Sequence, residues 1–167
     1  MANIKQKITP CLWFDSQAEE AAKFYTAIFP NSSIGEIARY DESSANASGQ
    51  PAGSVLTVAF NLNGQEFTAL NGGPVFKFSE AISFQVMCET QEEVDMYWGK
   101  LSAVPESEQC GWCKDKYGLS WQIVPTLLPK LLADPDKQKA GRVMQAMLQM
   151  KKIDIEGLQK AYERVSP

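Results

Sequence analysis

The feature that most constrains this chain is one pattern written twice. Cys11-Leu12-Trp13-Phe14-Asp15-Ser16-Gln17 leads into Ala18-Glu19-Glu20, and Gln85-Val86-Met87-Cys88-Glu89-Thr90-Gln91 leads into Glu92-Glu93. Each copy is a strand-like apolar run, an acidic residue, a hydroxyl residue, a glutamine and a Glu-rich helix start. The offset is constant, since 89 − 15 and 90 − 16 both equal 74. Such an echo predicts two copies of one supersecondary unit, with a function built between them. The chain also contains no histidine, which removes the commonest metal ligand and general base.

Periodicity fills in each copy. Residues 8–14 read as a strand, with Ile8, Leu12 and Phe14 on one face and Thr9, Cys11 and Trp13 on the other. Ser16 and Glu19 have the spacing of a capping box, and Ala21, Phe24, Tyr25 and Ile28 form the apolar stripe of the helix that follows. A strand is expected over 33–40 and a mobile loop over the Ser/Asn/Gly-rich stretch 41–53. Strands over 55–62 and 66–70 flank Asn63-Gly64, a strong hairpin signal. In the second copy, residues 81–88 read as a strand with Ser83, Gln85 and Met87 on one face. Thr90 and Glu93 form a second capping box, and Val94, Tyr97, Trp98 and Leu101 the stripe. Residues 110–116 and 119–124 read as a hairpin around Tyr117-Gly118. The predicted order is β-α-β-β-β, twice. Beyond Pro125 helices are expected, with Asp134-Pro135 as one start and Asp154 as the cap of the last. Val143, Met144, Met147 and Met150 recur at helical spacing, as core packing on the body of the fold or on a partner subunit.

Bulk properties narrow the partners. With 167 residues the chain suits one domain, or one domain with an appendage. The net charge of −4 argues against nucleic acid, whose partners carry basic patches. No apolar run approaches the roughly 20 residues of a membrane span, and residues 1–7 lack a signal-peptide core. A cytoplasmic protein is the expectation. Cys110-Gly111-Trp112-Cys113 is formally a C-x-x-C, but it looks extended rather than helix-opening, and no second pair completes a zinc site.

Specific strings carry a resemblance. Residues 8–15 (Ile-Thr-Pro-Cys-Leu-Trp-Phe-Asp), 69–74 (Ala-Leu-Asn-Gly-Gly-Pro), 76–78 (Phe-Lys-Phe), 83–86 (Ser-Phe-Gln-Val) and 120–125 (Ser-Trp-Gln-Ile-Val-Pro) look like the PhnB-like branch of the vicinal oxygen chelate superfamily. That branch is labelled 3-demethylubiquinone-9 3-methyltransferase, and its superfamily includes glyoxalase I, bleomycin-resistance proteins and extradiol dioxygenases. The resemblance covers about residues 6–125. It implies an α+β fold in which two tandem βαβββ modules form a cupped mixed sheet, with residues 1–125 as the paired-module domain and 126–167 as a C-terminal helical extension. It implies a cavity between the cupped faces. In metal-using relatives the ligands come from first and fourth strands of both halves.

Here Gln122 matches the ligand Glu of the family's Gly-x-x-x-Glu-Leu, within Gly118-Leu119-Ser120-Trp121-Gln122-Ile123. Ala69 stands at the first-half equivalent, with Thr9 and Ala81 or Ser83 near the first-strand positions. Alanine cannot ligate, and a neutral amide with hydroxyls does not replace the imidazole and carboxylate donors of a transition metal. The expectation is therefore no metal and no cofactor.

Alternation names the wall of the implied cavity. The first strand supplies Thr9, Cys11 and Trp13, and the fourth Phe67 and Ala69. The second copy supplies Ser83, Gln85 and Met87, then Ser120 and Gln122. Trp13 and Phe67 can stack a planar ligand, with Gln85 and Gln122 orienting it. The same residues can equally fill a closed barrel. No residue is assigned a catalytic role: Cys11 lacks a base to activate it, and the first-turn glutamates serve helix dipoles. A methyltransferase would show a glycine-rich strand-to-helix turn, and no G-x-G-x-G occurs. Three readings stand: a metal-free small-molecule binding protein; an enzyme on a small aromatic or quinone-like substrate; and a structural interaction protein. A homodimer is expected, because cupped half-sheets leave edges and a face to be covered.

Overall fold

The computed structural model describes residues 6–164. The chain divides into two compact units, Met1–Lys77 and Phe78–Pro167, so the division falls between the two copies of the repeat.

The first unit runs β1 (Cys11–Phe14), α1 (Ala18–Ile28), β2 (Ser33–Arg39), α2 (Glu42–Ser48), β3 (Val55–Leu62) and β4 (Gln65–Asn71). Its sheet has the order β1-β4-β3-β2, with β1 parallel to β4 and the other pairs antiparallel. Helix α1 covers one face. Of the expected stripe Ala21, Tyr25 and Ile28 are buried and Phe24 is half-buried, and Ala18 and Ala22 are buried beside them. Alternate residues of the strands meet them: Leu12 and Phe14 on β1, Val58 and Phe60 on β3, Phe67 and Ala69 on β4. The Phe60 ring stacks between Tyr25 and Phe67, at centroid distances of 6.2 and 5.3 Å. Asn63-Gly64 turns the β3–β4 hairpin with positive φ at both residues, as its composition predicts.

Two local expectations are corrected. Ser16 does not cap α1. The N-cap is Gln17 with no side-chain bond, and the orphan amide of Ala18 donates instead to Asn71 Oδ1 at 2.8 Å. The stretch 41–53 is not a plain loop, because α2 forms inside it. Asp41 accepts from Ser44 N, the Ser44 hydroxyl accepts from Asp41 N, and Gly49 closes the helix at φ 73°.

The second unit runs β5 (Ser83–Cys88), α3 (Gln91–Leu101), a single 3-10 turn at Pro105–Ser107, β6 (Trp112–Lys114), β7 (Ser120–Pro125), α4 (Leu127–Leu132), α5 (Lys137–Leu148) and α6 (Ile155–Glu163). Its sheet has the order β5-β7-β6, with β5 parallel to β7. Thr90 caps α3 as expected, accepting from Glu93 N, and Val94, Tyr97 and Leu101 are its buried stripe.

The second copy is one strand short of the β-α-β-β-β order. Between α3 and β6 the described residues form the 3-10 turn in place of a strand. Pro105 removes a ladder donor there. The strand expected from residue 110 starts later, because Cys110 and Gly111 take left-handed φ values of 51° and 84°. Their amides point away from the sheet and donate to Met150 O and Lys151 O at 2.8 and 2.7 Å.

These two bonds stitch the C-terminal helices to the hairpin. Leu128, Val143, Ile153 and Leu158 form their buried cluster, with Met147, Met150 and Tyr162 packed around it. Asp154 caps α6, as its position predicts, while Asp136 rather than Asp134 caps α5. Gln91 adds a tie, since its Oε1 accepts from Ile155 N and its Nε2 donates to Ile153 O. No helix among the described residues is long and apolar enough to cross a membrane.

Candidate functional site

A sheet with helices on one side has a second face. In the first unit the register decides which residues lie there. Leu12 pairs with Ala69 and Cys11 with Thr68, and neighbours in register share a face. Cys11 and Trp13 therefore lie with Thr68 and Leu70, while Phe67 and Ala69 lie with Leu12 and Phe14 under α1. The cavity-wall assignment of Ala69 is corrected on this point; the Phe67 ring is under α1, although the residue is among those lining the hollow of the uncovered face. Both are buried, at 5% and 0% exposure, and the Phe67 ring is spent on Phe60. The apolar residues of β4 are apolar because they face the helix. By the same register the first-half counterpart of Gln122 is Thr68, not Ala69, since Cys11 pairs with Thr68 as Gln85 pairs with Gln122.

The uncovered face of this unit carries an open hollow of about 520 Å³. Thr9, Ser33, Thr68, Asn61 and Glu66 supply its polar groups, and Gly35 and Ala59 are small residues lining it. A Cβ on Gly35 would sit 3.3 Å from Ala59 O and 3.5 Å from Ala59 Cβ, so the missing side chain keeps this end clear. The Asn61 amide oxygen accepts from Gly64 N at 2.7 Å and so serves the hairpin turn.

Trp13 is on this face but is already engaged. Its Nε1 donates to Gly73 O at 2.8 Å, and its ring meets Phe76 edge-on at 4.9 Å. Gly72 lies against the indole so closely that a Cβ there would fall 2.1 Å from the ring. The Asn71-Gly72-Gly73-Pro74 string is thus a seat for Trp13. Cys11 is exposed, and partial burial of its thiol raises its pKa, which works against a nucleophilic thiolate.

In the second unit Ser83 pairs with Ser120, Gln85 with Gln122 and Met87 with Val124, so the five residues expected on one face share it. Gln122 Nε2 donates to Ser83 Oγ at 2.8 Å, and Gln85 Nε2 reaches Gln122 Oε1 at 3.4 Å. Trp112 and Lys114 of β6 stand beside Gln122 and Ser120. Lys114 is paired with Glu80. Ser120 is buried, whereas Met87 is 47% exposed. Trp112 is a residue that alternation missed; its place beside Gln122 follows from the register of β6, which the left-handed pair Cys110-Gly111 sets.

The metal-using relatives' ligand positions correspond here to Thr9 or Cys11, Thr68, Ser83 or Gln85, and Gln122. Hydroxyls and neutral amides, with at most the one thiol of Cys11, whose pKa burial raises, do not fit a divalent transition metal. Among the described residues no three His, Cys, Asp or Glu side chains come together in a way that could hold a metal ion.

Paired modules of this order, each with a small mixed sheet backed by a helix, define a protein of the glyoxalase/bleomycin-resistance type. Residues 6–124 match the 3-demethylubiquinone-9 3-methyltransferase family, and the chain belongs to that PhnB-like family. It is similar to the PhnB protein of Bacillus cereus, which carries the same methyltransferase description, at 41% identity and a TM-score of 0.60 over 72% of this chain and 100% of that one. It is also similar in fold to protein PA1353 of Pseudomonas aeruginosa, at 14% identity and a TM-score of 0.52 over 72% and 98%. No curated protein matches.

Proposed function

We propose that this protein binds a small molecule, without a metal, on the uncovered face of its sheets, and that it works as a homodimer. The observation that carries this reading is the open hollow on the first unit's sheet, lined by polar and apolar residues together, where the helix-covered face is filled with apolar side chains. Edge strands β1 and β2 of one sheet and β5 and β6 of the other leave ladder groups for a second copy. Four free cysteines fit a reducing compartment such as the cytoplasm.

The alternative is an enzyme on a small aromatic or quinone-like substrate. The description carried by the Bacillus cereus relative favours it, as does Trp112 beside Gln122, which Gln85 flanks on the other side. A thermal-shift series separates the two. A ligand at a hundred times its Kd adds about 2.7 kcal/mol of stability. Stabilisation that Thr9→Tyr abolishes supports the hollow as the site; Thr9 is exposed, so the variant folds. Stabilisation by S-adenosylmethionine would move the reading to methyl transfer, and no response to any compound would reject both. In light scattering, a species of 18.5 kDa across micromolar concentrations would reject the dimer.

A further inference from the structure

The groups that remain available in the hollow say what it can hold. The aromatic rings expected to stack a planar ligand in the first unit are committed: Phe67 to Phe60 under α1, Trp13 to Gly72, Gly73 and Phe76. Besides Gly35, Ala59, Phe60, Phe67 and Asn61, whose amide oxygen serves the hairpin turn, the hollow is lined by three hydroxyls, on Thr9, Ser33 and Thr68, and one carboxylate, on Glu66. Glu66 lies on the same face as Thr68, and opposite Asn61 across the β3–β4 pair. Its backbone amide is occupied by Gln6 Oε1, but that bond does not use the carboxylate. Among the described residues no lysine or arginine lines the hollow.

Hydroxyls both donate and accept, so they match a ligand rich in hydroxyls. A carboxylate with no neighbouring cation in the lining selects a cationic donor and repels phosphates and carboxylic acids. We propose that the hollow takes a hydroxyl-rich small molecule bearing an ammonium group, of the amino-sugar class, with Glu66 Oε atoms accepting from the ammonium and the hydroxyls of Thr9, Ser33 and Thr68 exchanging hydrogen bonds with the ligand's own. The inference rests on the hollow being the binding site. It departs from the quinone-like substrate that the family description suggests. A quinone offers only carbonyl acceptors and a flat ring; among the described residues no cationic donor lines the hollow, and the rings of Phe60 and Phe67 in its lining are stacked on each other.

The test is a matched set of probes titrated into the isotope-labelled full chain and followed by amide chemical shifts. The probes are the β-1,4 disaccharide of glucosamine, cellobiose, and 2,3-dimethoxy-5-methyl-1,4-benzoquinone. The first two differ only in an ammonium against a hydroxyl at each ring. The expected result is that the amino disaccharide shifts Thr9, Ser33, Glu66 and Thr68 and binds about tenfold more tightly than cellobiose, as a charge-assisted bond allows. Glu66→Gln should abolish that difference while leaving the unliganded spectrum and melting temperature unchanged. If cellobiose or the quinone shifts the same four amides as strongly, and Glu66→Gln has no effect, the ligand class is wrong and the hollow survives as a site. If no probe moves those amides up to tens of millimolar, both the class and the hollow as a site are overturned.

Discussion

Asp115 is 1% exposed, and it does structural work that its place in the sequence does not announce. Its carboxylate accepts from Tyr117 N, Leu119 N and the Trp121 indole at 2.9, 3.0 and 2.8 Å, tying the β6–β7 turn to the core. A buried carboxylate is tolerated only when its lone pairs are matched in this way. Asp115→Ala should cost about 3–5 kcal/mol in urea unfolding, because it leaves buried donors without acceptors. Asp115→Asn, which keeps one acceptor, should cost less. The thiols make a second residue-level case. Burial first, then the nearby Glu93, pushes Cys88 from 9.0 to about 12; burial, then Asp115 and Glu108, does the same for Cys113. The folded state thus favours the neutral thiols above their unfolded pKa. Their contribution is intact below pH 9.0 and falls as pH rises from 9.0 toward about 12, by about 1.4 kcal/mol per unit for each thiol at most. Melting temperature should fall through that window, and iodoacetamide at mild alkaline pH should label Cys11 while Cys88 and Cys113 stay unmodified in the native chain.

At the scale of elements, the sequence was read best where one element's own periodicity settles the matter. The stripes of α1 and α3 and the caps Thr90 and Asp154 are local properties, and the structure has them where spacing put them, with Phe24 and Trp98 half-buried at the stripe margins. The N-cap of α1 was not legible, because its partner Asn71 lies 53 residues away and nothing local marks it. Nor was the parity of β4, because alternation says that Phe67 and Ala69 share a face but not which face; only the pairing of Leu12 with Ala69 does. The hairpin β6–β7 shows the same limit. Cys110-Gly111 reads as extended, yet its left-handed backbone turns two amides to the C-terminal segment. A Cβ at position 111 would lie 2.9 Å from Ile123 O and 3.1 Å from Ile153 Cγ1. Gly111→Ala should therefore destabilise by about 2–4 kcal/mol through strain and steric conflict. The local readout is amide exchange: residues 110 and 111 should lose protection well before the strand β5 does. Unchanged protection there would mean that the stitch between hairpin and tail contributes nothing.

At the scale of the whole molecule, the candidate site was legible in its chemistry more than in its geometry. The repeat predicted two modules, and the absence of histidine set limits on what either could do. Which polar groups share a face, and which aromatics are free, needed the register. The same composition and register bear on metal binding. A divalent transition metal must lose most of its hydration, and only several charged or imidazole donors at about 2 Å compensate for that. The positions matched to the superfamily's ligands hold hydroxyls and amides, with Cys11 as the one thiol among them. The strongest other donors are spoken for or unsuitable: Asp115 is saturated by backbone and indole donors, and Cys88 and Cys113 are held as neutral thiols. Cys11 has a raised pKa of its own, and a lone thiolate is a weak site. Elemental analysis after exhaustive dialysis should find well under one transition metal per chain, and chelator treatment should leave the melting temperature unchanged. About one nickel, zinc or iron per chain, lost in Gln122→Ala with a fall in melting temperature, would overturn the metal-free reading. It would also show that the amide network of Gln122, Ser83 and Gln85 rearranges to bind an ion, and would make metal-assisted catalysis the leading account of the site.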